Sequence, residues 1–100
     1  MAVRTLSTVL VITRFRVRDV DGFLGRADAA VAVLAARDGF ERADLQRNLD
    51  EDDLWVLVTR WRNVGSYRRA LQGYEPKMVV VPLLSEALDE PSAYEEPGLL

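Results

Sequence analysis

The sequence predicts an α+β fold in which an antiparallel sheet carries its helices on one face. Segments rich in β-branched residues and alternating with a period of two are interleaved with segments of helical period, in the order strand, helix, strand, strand, helix, strand. Only a short acidic link, Asp50–Asp53, separates the second and third strands, which makes them an antiparallel hairpin. A chain of 100 residues that is 49% apolar is one domain's worth of sequence. This element order is the split βαβ, or ferredoxin-like, arrangement.

The first strand is read over Thr8–Val17. Val9, Val11, Thr13, Phe15 and Val17 share one side, and Leu10, Ile12, Arg14 and Arg16 share the other. Asp19 or Asp21 offers a cap for a helix over Gly22–Arg37, whose apolar stripe is Phe23, Ala27, Val31 and Leu34, with Ala30 beside it. Gly39 then ends that helix. The second strand, Phe40–Leu49, sets Ala43, Leu45, Arg47 and Leu49 against Asp44, Gln46 and Asn48. Leu54–Trp61 is the strongest strand pattern in the chain. Asn63 caps a second helix from Val64 to about Gln72, and Gly73 closes it. Pro76 suits the first position of a further short helix toward Leu84, which Pro82 is expected to bend or interrupt. Met78–Val81 also fits a strand. Leu83–Leu88 returns to helix or turn, Asp89-Glu90-Pro91 breaks it, and Ser92–Glu95 is the final strand. The domain is therefore expected over residues 8–95, with loosely held ends at 1–7 and 96–100.

Composition removes several function classes. Thirteen basic and sixteen acidic residues leave a net charge of −3, which is not the footprint of a nucleic-acid binder. Cysteine and histidine are both absent. Disulfides, thiolate metal sites and the commonest zinc and haem ligand are thereby excluded, together with the commonest general base. Asp50–Asp53 lacks the spacing and glycine of a calcium loop and reads as a solvated turn. The apolar run Val9–Ile12 is too short to span a membrane, and no signal-peptide pattern precedes it, so a cytoplasmic protein is expected. No phosphate loop or nucleophile elbow is present.

The third strand carries apolar side chains on both sides: Trp55, Leu57 and Trp61 on one, Leu54, Val56 and Val58 on the other. The first strand repeats this with Leu10 and Ile12. An antiparallel sheet covered by helices on one face should be polar on the other if that face meets water. A second copy of the chain, packed sheet to sheet in a two-fold homodimer, is the economical cover. Arg14 and Arg16 would then pair with acidic residues across that dimer.

The segment GFERADLQRNLDEDDLWVLVTRWRNVGSYRRAL resembles the antibiotic biosynthesis monooxygenase family. A Gly-Phe pair opens the second strand, Arg47 lies near its end, and an acidic turn follows. The next strand ends in Thr59-Arg60-Trp61, a capping polar residue comes two positions later, and an aromatic sits on the following helix. The likeness extends over about Thr8–Glu95, including the tail LLSEALDEPSAYE. It implies a ferredoxin-like subunit paired into a dimeric α/β barrel. It also implies either cofactor-independent oxidation of polycyclic phenols with O₂ or, in another branch, haem degradation. The haem branch uses a first-strand asparagine and a helical histidine as iron ligand; here the strand position is Thr13 and no histidine exists. For the cofactor-free branch Trp61 and Tyr67 match. Leu57 and Val81 stand where family members carry a hydrogen-bonding and a basic residue.

The expected chemistry needs no cofactor and no metal, because an electron-rich phenol or quinol supplies the electrons itself. Trp61 and Tyr67 are the candidate catalytic residues, able to line an aromatic pocket and donate an indole N–H and a hydroxyl. Thr13, Thr59, Arg47 and Tyr74 are the candidate substrate-binding residues, the threonines as hydrogen-bond partners and the arginine as an anion's partner. The plainer reading makes Trp61 and Tyr67 packing aromatics, Trp55 pure core, and Arg68 and Arg69 a solvated helix face. On that reading the chain is a non-catalytic ligand-binding or dimerisation module on the same scaffold.

Overall fold

The computed structural model describes residues 8–97. Of the loosely held ends expected at 1–7 and 96–100, residues 1–7 and 98–100 lie outside the described residues, and the Glu96 N–H is bound to the Thr8 carbonyl. Strands β1 (Val9–Arg16), β2 (Phe40–Arg47), β3 (Leu54–Trp61) and β4 (Ala93–Glu95) form one four-stranded antiparallel sheet in the order β2-β3-β1-β4. Helices α1 (Val20–Ala35) and α2 (Val64–Ala70), a π turn over Pro76–Val80 and the short α3 (Val81–Leu84) complete it. The ferredoxin-like reading of the sequence is therefore the observed architecture. Ser92–Glu95, the expected last strand, shortens to β4 and pairs with β1 of its own chain through Leu10↔Tyr94.

Register decides which side chains share a face. Val9↔Trp61, Val11↔Thr59, Thr13↔Leu57 and Phe15↔Trp55 place one row under the helices. There they meet Phe23, Ala27, Ala30 and Leu34 of α1, with Val80 and Leu83 of the segment that follows α2. Fully burying an aliphatic or aromatic side chain of this size is worth roughly 1.5–3 kcal/mol, so this row is where the fold gains most. Aromatic pairs close both ends of the core. Phe15, Phe23 and Trp55 lie at one end, with centroid spacings of 5.1 and 5.9 Å; Phe40, Trp61 and Tyr67 lie at the other, at 5.4 and 5.9 Å.

Local chemistry corrects several expected boundaries. Asp19, not Asp21, caps α1, accepting from the Gly22 N–H, so the helix begins at Val20. Strand β2 stops at Arg47 rather than Leu49, because the Asn48 side chain accepts from the N–H groups of Asp50 and Glu51 and starts the turn early. Leu49 is consequently wholly exposed and not a strand residue. Met78–Val81 is not a strand, and Pro82 does not interrupt the helical path. Instead the turn before it widens: the Val81 N–H reaches back to the Pro76 carbonyl. A proline has no N–H for the carbonyl four residues back, and its ring would press on it; the widened turn relieves both problems at Met78.

The opposite face of the sheet carries no helix. Leu10, Ile12, Val56 and Val58 project there, with Leu10 37% and Tyr94 53% exposed. The arginines on this face do not await a second chain. Arg14 pairs with Glu90, and Arg16 with Glu51 and Asp53, at 2.7–2.9 Å within the same chain. The expected cross-dimer ion pairs are thus corrected: the hairpin turn and the approach to β4 bring acidic residues back to β1.

Candidate active site

The site is assembled around Tyr67. Asn63 caps α2 by accepting from the Ser66 N–H at 2.8 Å, and Tyr67 completes that first turn through its N–H to the Asn63 carbonyl. Where α2 sits is set by a close approach. Gly39 has φ +89°, and a Cβ there would lie 2.3 Å from Cβ of Ser66, which is wholly buried. Only glycine accepts both that conformation and that contact. Arg62 ties the same corner, with its N–H on the Gly39 carbonyl and its guanidinium on Asp38.

Behind Tyr67 lies Trp61, with 0% exposure. Its indole N–H donates to Thr59 Oγ1 at 2.9 Å, so the polar atoms of Trp61 and Thr59 satisfy each other inside the core. The two rings of Trp61 and Tyr67 meet at 5.9 Å between centroids, tilted by 52°. Trp61 therefore forms the buried backing of Tyr67, which itself lines the cleft.

In front of Tyr67 a cleft of about 380 Å³ opens between β1, past its pairing with β4, and the chain leading from α3 to β4. Ile12, Thr13 and Arg14 form one wall, and Leu84, Leu88 and Asp89 are among those forming the other. The Thr13 and Tyr67 hydroxyls make no hydrogen bond to any described residue. Partial burial pushes the Tyr67 hydroxyl's pKa up, so it stays a neutral donor at physiological pH. The outer wall is clipped to β1 at both ends, by Leu88 N–H to the Arg14 carbonyl at 2.8 Å and by Ile12 N–H to the Ser92 carbonyl at 2.7 Å. Between the clips, Glu90 binds the Arg14 guanidinium through both carboxylate oxygens, at 2.7 and 2.8 Å. That hydrogen bond, with the accompanying charge attraction, holds the Glu90 carboxyl below its usual range. Asp89 has no ion pair or side-chain hydrogen bond among the described residues.

Of the residues singled out in the sequence, Trp61, Thr59, Tyr67 and Thr13 thus come together. Tyr67 and Thr13 line the cleft, and Trp61 and Thr59 stand behind it. Arg47 and Tyr74 do not join them. Arg47 lies over the Trp55 ring at 5.9 Å in a separate hollow of about 390 Å³ near the hairpin. Tyr74 is 81% exposed in the link that follows α2. Trp55, expected as pure core, is only half-buried, and its indole N–H is buried without an acceptor. The outer wall, with Asp89 and Glu90, was not singled out as part of a site. Its one sequence signal is a pair of carboxylates before a proline, directly ahead of the last strand. Among the described residues, no group of three or more acidic, histidine or cysteine side chains could hold a metal ion, and no helix is long and apolar enough to cross a membrane.

Comparison with known proteins agrees with this architecture. The family model described as antibiotic biosynthesis monooxygenase matches residues 8–76. No curated protein matches the chain. Among solved structures, SnoaB of Streptomyces nogalater, described as a cofactor-independent oxygenase, is similar with a TM-score of 0.79 and 24% identity, over 94% of this chain and 97% of that one. A Mycobacterium tuberculosis protein is similar at 0.69 and 24% identity, over 93% and 96%. A conserved protein of Methanosarcina mazei is similar at 0.74 and 18% identity, over 94% and 95%. At these identities the structures speak for the fold alone.

Proposed function

The chain belongs to the antibiotic biosynthesis monooxygenase family, and from that premise we propose that it is a cofactor-independent monooxygenase acting on a phenolic or quinol-like polycyclic aromatic substrate. The carrying observation is the cleft beside β1, where Tyr67 and Thr13, whose hydroxyls have no partner among the described residues, line a mixed polar and apolar space of about 380 Å³. Ligand sites commonly measure about 300–1,000 Å³ and combine apolar walls with a few placed polar groups.

An anthrone illustrates the chemistry. Loss of one methylene proton leaves an electron-rich carbanion, delocalised onto the carbonyl oxygen as a phenolate. This anion reduces O₂ and combines with it to give a peroxide, which takes up a proton. Loss of the second hydrogen of that carbon with cleavage of the O–O bond leaves a quinone carbonyl and releases water. One oxygen atom enters the product and the other leaves as water, so the substrate loses four electrons and O₂ gains four. The protein's part is to bind the flat rings and stabilise the oxyanion. A neutral Tyr67 hydroxyl and Thr13 Oγ1 are suited to donate to that oxygen. Trp61 and Thr59 serve as a preorganised support that keeps the Tyr67 ring in place.

A purely dimerising module would need no accessible donors, because packing alone would account for Trp61 and Tyr67; a ligand-binding module would share the cleft and is separated from the enzyme by turnover. The free Tyr67 and Thr13 hydroxyls favour a ligand site in this cleft over packing alone. We further propose that the working unit is a homodimer through the helix-free face, in the cytoplasm; the apolar side chains of that face support the first part. Oxygen uptake with an anthrone or naphthohydroquinone tests the activity. Turnover above the buffer rate is expected, falling about tenfold in Tyr67→Phe through loss of one hydrogen bond to a charged oxygen. No uptake with either class, and no binding of the matching quinone, would remove the enzyme reading.

A further inference from the structure

The chemistry begins with removal of a proton, and the chain has neither histidine nor cysteine to take it. The cleft limits the remaining choices. Tyr67 is held neutral by its burial and is no base for that proton. Arg14 remains cationic beside Glu90 and serves no better. Glu90 also lines the cleft, but it spends both carboxylate oxygens on the Arg14 guanidinium, which makes it a weaker base. Asp89 remains: it lines the same cleft and is bound to nothing among the described residues. Its neighbours keep it in place. The Leu88 N–H is fixed to β1 on one side, and Glu90 is fixed to Arg14 on the other.

We propose that Asp89 is the general base of this cleft, accepting the acidic C–H or O–H proton of the bound aromatic while the Arg14–Glu90 pair holds the Asp89 backbone against the opening. This rests on the oxygenase reading of the cleft. In the step, the substrate's C–H or O–H bond breaks and its electron pair stays on the substrate as a delocalised anion. The proton forms an O–H bond on a carboxylate oxygen of Asp89. No oxidant takes part. Asp89 is exposed at the mouth, so the proton passes on to water and the base is regenerated. The neutral Tyr67 hydroxyl, on the inner side, stabilises the developing oxyanion. Acid and base roles are thus divided between the buried and the exposed ends of one cleft.

The test separates this step from oxygenation. Anthrone is incubated anaerobically with the full chain in D₂O, and exchange of its methylene protons is followed by NMR. The wild-type chain is expected to accelerate exchange above the buffer rate. Asp89→Asn should slow the catalysed exchange by at least about 100-fold, the usual scale of a general base. Its affinity for anthraquinone, which has no proton to give, should stay within twofold, with an unchanged circular dichroism spectrum. Asp89→Gly supplied with formate should regain part of the rate, a rescue that a merely structural role would not show. If the wild type accelerates no exchange, or Asp89→Asn exchanges as fast as the wild type, the proposal is overturned. It is equally overturned if Glu90→Gln abolishes exchange and Asp89→Asn does not. Catalysed exchange without oxygen uptake would leave Asp89 as the base and overturn the oxygenase reading instead. Uptake in a protein whose Asp89→Asn variant exchanges normally would do the reverse.

Discussion

Trp61 and Thr59 answer each other's hydrogen-bonding needs in a place where neither could find water. An unpaired indole N–H there would carry a desolvation penalty, so the pair matters more for what it avoids than for the bond itself. Trp61→Phe removes the N–H, orphans Thr59 and leaves a void behind Tyr67. A loss of about 2–3 kcal/mol is expected, from roughly 1 kcal/mol of hydrogen bonding plus the cavity. The midpoint of urea unfolding measures it, and an unchanged midpoint would show the pair to be dispensable. The Arg14–Glu90 pair has the opposite character, since both groups meet solvent. Arg14 lowers the folded-state pKa of Glu90 below the ordinary 4.5. Its contribution is therefore present above pH 4.5 and disappears as pH falls through the lowered value. Comparing wild type with Glu90→Gln, the difference in urea midpoint should be constant near neutrality and vanish in acid. A difference that grows in acid would contradict that sign.

The corner where α1 turns into β2 controls the site although it contributes nothing to it directly. Gly39 combines φ +89° with a contact that leaves no room for a Cβ against buried Ser66. Gly39→Ala should destabilise by about 1–3 kcal/mol, from backbone strain and from the displacement of α2. Because Tyr67 follows Ser66 on that helix, the quinone affinity of the cleft should weaken with it. Ser66→Gly added to Gly39→Ala relieves the contact but not the strain, and should restore only part of the thermal midpoint. Complete insensitivity of ligand binding would mean that α2 is located by other contacts. The π turn at Pro76–Val80 belongs to this scale too, since one proline decides a helical geometry that apolar periodicity alone leaves open.

At the scale of the molecule, the sheet has one face under helices and one without. Ile12 and Val58 sit opposite each other at the middle of the uncovered face, flanked by Leu10, Val56 and Tyr94. Burial of such surface yields about 25 cal/mol per Å², which offsets association costs when several side chains are covered together. The proposed dimer predicts sedimentation at twice the chain mass of 11.3 kDa. Val58→Asp should then sediment at the single-chain mass with an unchanged far-ultraviolet spectrum, because a carboxylate would be forced into an apolar contact. Wild-type protein at the single-chain mass at micromolar concentration would end the dimer proposal.

Element order, strand sidedness and the helix cap at Asn63 are short-range matters, and the residues themselves determined them, whereas the choice of Asp19 over Asp21 as the first cap was settled by the structure. Period, capping chemistry and the glycines after each helix act within a few positions of the chain. Trp61 and Tyr67 were singled out together through the family resemblance, and their ring contact at 5.9 Å joins a strand end to the next helix. The outer wall of the cleft was decided only by tertiary structure. Arg14 and Glu90 are far apart in the chain, and nothing local says that the approach to β4 will run back along β1. Arg47 and Tyr74 had the right chemistry, yet the register of the hairpin and the path after α2 carried them elsewhere. A residue type states what a side chain can do, whereas long-range pairing, whose cost is loop closure rather than local preference, states which side chains do it together.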